Sequence, residues 1–200
     1  MSCKGTVLIT GCSDGGAGSA MVIAFQNQGY RVFATSRSLT TMSKVENIPN
    51  VSLLQLDVTR TSDIRAAVDA VSEETEGTLT YLINCAARNH FMPLLDENIE
   101  DAKALYDTNV WGSLAVTQAF APLLIKAKGT VVFITSLSGY LNVPYQGLLT
   151  RCQIDATLEG WFNTYNLYVI LLSSGYANLF LRHVCCIEEI RGDHGRNFTT

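Results

Sequence analysis

The stretch TGCSDGGAG, Thr10 to Gly18, lies between the apolar run TVLI (Thr6–Ile9) and SAMVIAF (Ser19–Phe25). Four of its nine residues are glycine, the residue that loses most backbone freedom on folding. Such a loop is kept where the backbone must turn tightly or pass close to a ligand or a neighbouring element. The run before it reads as a strand, Thr6–Thr10. The run after it reads as a helix, Ser19–Gln28, with Gly29 as its stop signal. A glycine-rich turn that leaves a strand and opens a helix aims backbone N–H groups and a helix N-terminus at an anion. In that setting it is the mark of a cradle for a dinucleotide pyrophosphate.

Outward from the loop, apolar runs alternate with amphipathic stretches. RVFAT (Arg31–Thr35), VSLLQL (Val51–Leu56), LTYLI (Leu79–Ile83) and TVVFIT (Thr130–Thr135) read as strands. Thr61–Thr75 reads as a helix capped by Thr61 or Ser62, with Ile64, Ala67, Val68 and Val71 on one face. Ile99–Lys126 is a long helical pattern, with bends expected near Gly112 and Pro122. Short apolar strands separated by helices are the pattern of a parallel sheet covered on both faces. The expected fold is α/β, a Rossmann-type doubly wound sheet, in one domain over residues 1–200.

The 200 residues are 48% hydrophobic and 16% charged, with net charge -4, which argues against a general nucleic-acid binder. Six cysteines show neither a CxxC pair nor metal-ligand spacing. They read as reduced thiols with no metal site. No secretory pattern opens the chain, and a cytoplasmic location is expected. From Gly160 to Leu181 there is no charged residue. Asn163, Asn166, Ser173, Ser174, Gly175 and Asn178 interrupt the stretch, which favours a buried or subunit-interface helix over a membrane anchor. Arg182–Ile190 would then supply a sixth strand, followed by a polar tail.

The end of the second strand selects the adenosine ribose. A carboxylate there accepts from a free 2′-hydroxyl. Here the strand runs out as Thr35-Ser36-Arg37-Ser38, and Arg37 can pair bidentately with a 2′-phosphate. Asp14, inside the loop, opposes the same phosphate. The balance favours NADP(H) over NAD(H).

With these residues in view, the chain resembles the short-chain dehydrogenase/reductase family over about residues 5–150, leaving 160–200 as a diverged tail. TGCSDGGAG is similar to the family's TGxxxGxG loop with one added residue, a form seen in fungal reductases of the acyl-dihydroxyacetone-phosphate reductase type. The resemblance implies cofactor contacts from Ile9, Gly11, Ser13, Gly15, Gly16 and Gly18. LDVT (Leu56–Thr59) resembles the segment whose aspartate holds the adenine, here Asp57. NCAA (Asn84–Ala87) stands where the family has NNAG, and carries over Asn84. DTNVWG places Asn109 at the helix asparagine, and VVFITSLSGY places Ser136 at the catalytic serine.

The chemistry so implied is hydride transfer between a nicotinamide and a carbonyl or alcohol carbon of a small molecule, in a homo-oligomer paired through long helices. The family's tyrosine belongs thirteen residues after the serine, and its lysine four further on. Those positions hold Leu149 and Gln153. Realigning on Leu158–Gly160 moves the pair to Arg151 and Asp155, and no lysine occurs after Lys128. The expectation is a cofactor platform better kept than the proton chemistry it serves. The alternative is a catalytically impaired NADP-binding or interaction protein.

Overall fold

The computed structural model describes residues 3–135 and 167–171. Strands and helices alternate: β1 (Thr6–Ile9), α1 (Ala17–Asn27), β2 (Arg31–Ser36), β3 (Val51–Gln55), α2 (Thr61–Thr75), β4 (Tyr81–Asn84), α3 (Ile99–Tyr106), α4 (Ser113–Ala127), β5 (Thr130–Thr135) and β6 (Leu167–Leu171). Among the described residues six strands form one sheet in the order β3-β2-β1-β4-β5-β6. Every neighbouring pair is parallel, with Ile9 beside Ala34 and Ile83, and Thr135 beside Leu171.

The apolar runs lack polar alternation because both faces of the sheet are covered. Side chains one apart go to opposite faces. Val7, Ile9, Val32, Ala34 and Ile83 pack with Met21, Val22 and Phe25 of α1. Leu8, Phe33 and Leu82 pack with Ile64, Ala67 and Val71 of α2 and with Val116, Phe120 and Leu124 of α4. Each fully buried side chain of this size contributes about 1.5–3 kcal/mol.

Helix α2 starts differently from the sequence expectation. Its N-cap is Arg60, with no side-chain cap, rather than Thr61 or Ser62. The turn is held from within instead: the Arg60 N–H donates to the Asp57 carbonyl, and the Asp57 N–H donates to Asp63 Oδ2. An acid at 63 also suits the helix dipole.

α3, a π-helical turn at Asp107–Gly112 and α4 form one continuous helix, Ile99–Ala127. By length and composition it could cross a membrane. Its apolar face, with Val116 and Phe120 fully buried, lies instead against the sheet. Of the two positions where bends were expected, Gly112 ends the π turn and Pro122 lies within α4.

The uncharged stretch 160–181 is not a helix throughout. Its LYVIL core, Leu167–Leu171, is β6, the strand beyond β5. A five-residue apolar run rich in β-branched and aromatic residues has strand length and composition. This corrects the expected buried or subunit-interface helix at 167–171, and the sixth strand comes earlier than the expected Arg182–Ile190. Residues 182–190 themselves lie outside the described residues.

Candidate functional site

The sheet order reverses at β1, which has β2 on one side and β4 on the other. The crevice beyond the carboxyl ends of such strands is where open α/β sheets bind ligands. Thr10 builds it. Its buried hydroxyl accepts the Cys85 and Ala86 N–H groups, each at 2.9 Å, and so ties the ends of β1 and β4 together. Gly11 follows at φ +75°, with room for no side chain: a Cβ would lie 2.7 Å from Ala86 Cα. Gly18 lets α1 close on β1, since its Cβ would strike the Gly11 carbonyl.

Gly15 differs from both. Its φ is +77°, yet nothing lies within 4 Å of a Cβ built there. Its requirement is conformational, and its outer face is open. Gly16 is the N-cap of α1, with no capping side chain and no acid in the first turn. The helix N-terminus thus meets the crevice without an internal anion competing for its N–H groups. The open face and the uncapped helix fit a dinucleotide pyrophosphate. Ile9, by contrast, is fully buried in the strand.

Asp14 and Ser13 turn to a different partner. The Asp14 carboxylate accepts from the Ser43 hydroxyl at 2.7 Å and the Lys44 N–H at 3.0 Å. Those bonds, the Ser43 hydroxyl first, hold its carboxyl below the ordinary aspartate value. The Asp14 N–H donates to the Thr41 carbonyl, and the Ser13 and Thr41 hydroxyls meet at 3.2 Å. The glycine loop is thereby docked on the short 3₁₀ turn Leu39–Met42 after β2.

At the end of β2, Ser36 is buried and Arg37 exposed. The Leu56 N–H donates to the Ser36 carbonyl and extends the β2–β3 ladder by one step. Asp57 comes next. Its Oδ1 accepts both the N–H and the hydroxyl of Thr59, at 3.0 and 2.7 Å. Partial burial pushes the Asp57 carboxyl up. The two Thr59 bonds outweigh that, with Arg60 and Arg37 adding to them, and the net shift is downward.

At the other side of the crevice, Asn84 is buried and its Nδ2 donates to Thr117 Oγ1 at 3.0 Å. The Thr117 hydroxyl donates to the Ser113 carbonyl, which fixes the orientation of the amide and leaves Asn84 Oδ1 without a protein partner. Asn109 sits in the π turn, a distortion that recurs at functional sites. Its Oδ1 accepts the Arg88 N–H and its Nδ2 donates to the Arg88 carbonyl, pinning the loop after β4. His90 Nε2 lies 3.2 Å from Glu97 Oε1 in the same loop, too poorly aligned for a hydrogen bond. Ser136, Leu149 and Gln153 lie outside the described residues. Among the described residues no three His, Cys, Asp or Glu side chains converge as a metal site. Burial pushes the Cys12 thiol far up, so it is inert at neutral pH.

Sequence reasoning brought together the loop glycines, Arg37 and Asp57. It missed Thr10, Thr41 and Ser43 as the scaffold of the loop. The last two act from about thirty positions away, and no local pattern signals them.

A family profile described as short chain dehydrogenase matches residues 5–148. The chain is 45% identical over 152 residues to the short-chain dehydrogenase cctT of Talaromyces islandicus, covering 76% of this chain and 54% of that protein. It is 38% identical over 166 residues to an NADPH-dependent 1-acyldihydroxyacetone phosphate reductase of Schizosaccharomyces pombe, covering 82% of this chain and 54% of that one. Among solved structures, a short chain dehydrogenase from Burkholderia cenocepacia in complex with NADP superposes with a TM-score of 0.72 at 25% identity. The match covers 84% of this chain and 71% of that one. The chain spans about half the length of the curated relatives it matches.

Proposed function

The chain belongs to the short-chain dehydrogenase family, and on that footing we propose that it binds NADP(H) along the carboxyl edge of β1, β2 and β4. The reaction served is carbonyl/alcohol interconversion on a small molecule. The observation that carries this reading is the uncapped N-terminus of α1 beside the open Gly15. The exposed Arg37, and the absence of a carboxylate from the end of β2, favour the 2′-phosphorylated form. Asp14 stays ionised and still opposes the phosphate by charge, but its carboxylate is held on the Ser43 hydroxyl and the Lys44 N–H. The S. pombe relative's NADPH dependence and the NADP held by the B. cenocepacia structure support the same choice.

When bound, the nicotinamide supplies or takes the hydride. The chain's own part is to bind and orient. Gly15, Gly16 and the first turn of α1 receive the pyrophosphate, Arg37 the 2′-phosphate and Asp57 the adenine side. Asn109 fixes the loop after β4 through Arg88, and Ser136 polarises the substrate oxygen. Leu149 has no proton to give, and loss of a general acid costs about 10²–10⁴-fold in rate. Turnover by this polypeptide is therefore slow, and cofactor binding without turnover is the second reading that Leu149 and Gln153 favour. Self-association uses the Ile99–Ala127 helix, on which Trp111 and Ile125 are exposed.

The test is a double replacement, Leu149→Tyr with Gln153→Lys, assayed by NADPH oxidation over a panel of aldehydes and ketones. A rate gain of about 10²-fold or more, lost again on Ser136→Ala, supports the reaction. A rate that Ser136→Ala leaves unchanged refutes the role given to Ser136.

A further inference from the structure

Arg60 follows β3 at the N-cap of α2, and its side chain makes no capping hydrogen bond. Its guanidinium Nε lies 3.9 Å from Asp57 Oδ2, and its side chain is 67% exposed. That exposure leaves most of its donors free for a ligand. The stem is firm. The Arg60 N–H is bound to the Asp57 carbonyl, the Asp57 N–H to Asp63, and Asp57 Oδ1 to Thr59 twice over. Arg37 arrives from the adjoining strand. Ser36 pairs with Gln55 and the ladder runs on through Leu56, so Arg37 and Asp57 leave neighbouring strands about 5 Å apart.

Arg60 lies beside the Asp57 carboxylate and Arg37 acts on it through charge from the adjoining strand, at the edge where the adenosine ribose would lie. Asp57 taken with Arg37 alone carries no net charge, and would hold a dianionic phosphate poorly. Arg60 adds a second guanidinium and offsets the Asp57 carboxylate, with Asp63 turned to the Asp57 N–H. An arginine also offers a planar fork suited to phosphate oxygens.

We propose that Arg60 is a second guanidinium for the 2′-phosphate of NADP(H), acting across Asp57 from Arg37. It offsets the Asp57 carboxylate and donates to the phosphate from the β3 side. Selection of NADP(H) over NAD(H) is then divided between the ends of β2 and β3. This rests on the NADP(H) reading above.

The test is calorimetric titration of the full chain with NADPH, NADH, 2′,5′-ADP and 5′-AMP. It compares the native protein with Arg60→Ala, Arg60→Lys and Arg65→Ala, the last an exposed arginine further along α2. Arg60→Ala is expected to raise the Kd for NADPH and 2′,5′-ADP about tenfold, the size of one charge-assisted contact. NADH and 5′-AMP should bind as before. Arg60→Lys should recover part of the loss, and Arg65→Ala should change nothing. Equal weakening of phosphorylated and unphosphorylated ligands overturns the proposal, as does no weakening of either. A native chain that binds NADPH while Arg60→Ala matches it defeats this inference alone. A native chain that binds none of the four ligands defeats the cofactor reading and this inference with it.

Discussion

Gly18→Ala and Gly15→Ala separate the two reasons for glycine in the loop. At Gly18 a Cβ would strike the Gly11 carbonyl oxygen and sit 2.8 Å from its carbon and 3.0 Å from Cys12 Cα. All three are backbone atoms, so no side chain can swing aside, and α1 must lift from β1. Overpacking of this kind costs about 1–3 kcal/mol. Alanine in the first turn of a helix returns at most about 1 kcal/mol. Backbone obstruction puts the clash near the top of its range, and the net loss is about 2 kcal/mol. For a chain of this length that is a fall of about 4–8 °C in Tm. At Gly15 there is nothing to strike, and only the left-handed backbone is penalised, by about 1–2 kcal/mol. The binding effects should run the other way. Gly15→Ala would place a methyl on the open face offered to the pyrophosphate, and NADPH affinity should fall about tenfold or more. Thermal unfolding and nucleotide titration of both variants check this. A Gly18→Ala chain as stable as the native one refutes the close approach of α1 and β1. A Gly15→Ala chain with native NADPH affinity refutes the cradle.

Three further outcomes follow from the same structure. Phe120 is fully buried between α4 and the sheet, so Phe120→Ala should lose about 3–5 kcal/mol in urea unfolding. Asn109→Ala removes both bonds to the Arg88 backbone. It should cost about 1–3 kcal/mol and speed hydrogen exchange at the Arg88 amide. Asp14 and Asp57 both titrate below the ordinary aspartate value of 3.8. Their contribution is complete above that value and drains away as the pH falls through the lower folded-state values. Asp14→Asn or Asp57→Asn should therefore flatten the decline of Tm on the acid side of about pH 4, with the variant already lowered at neutral pH.

The parts legible in the sequence are those whose cause is local. Thr61–Thr75 and Thr130–Thr135 are found at the expected residues, because helical periodicity and a bounded apolar run are properties of the segment itself. The glycine loop is legible for the same reason, since its turn requires glycine wherever the rest of the chain goes. What escaped depends on distant partners. The partners that hold the Asp14 carboxylate, Ser43 and Lys44, lie about thirty positions further along the chain. Arg60 drew no reading from the sequence, because its place beside the Asp57 carboxylate is recognised only from the turn that joins them. Gly112 marked a place for a bend but not the π turn at Asp107–Gly112 as such, because the helical pattern continues on both sides of it. β6 was misread because an uncharged stretch suits a buried helix as well as a buried strand. Only pairing with β5 decides between them.

The central claim is that a phosphorylated nicotinamide dinucleotide binds at the glycine loop and the end of β2. Its most direct test is titration of the purified chain with NADPH and NADH, without substrate, followed by calorimetry. The account predicts saturable binding of NADPH, tighter than NADH, with the difference narrowed by Arg37→Ala. Saturable binding of neither nucleotide, or equal affinity for both in the native chain, would contradict it.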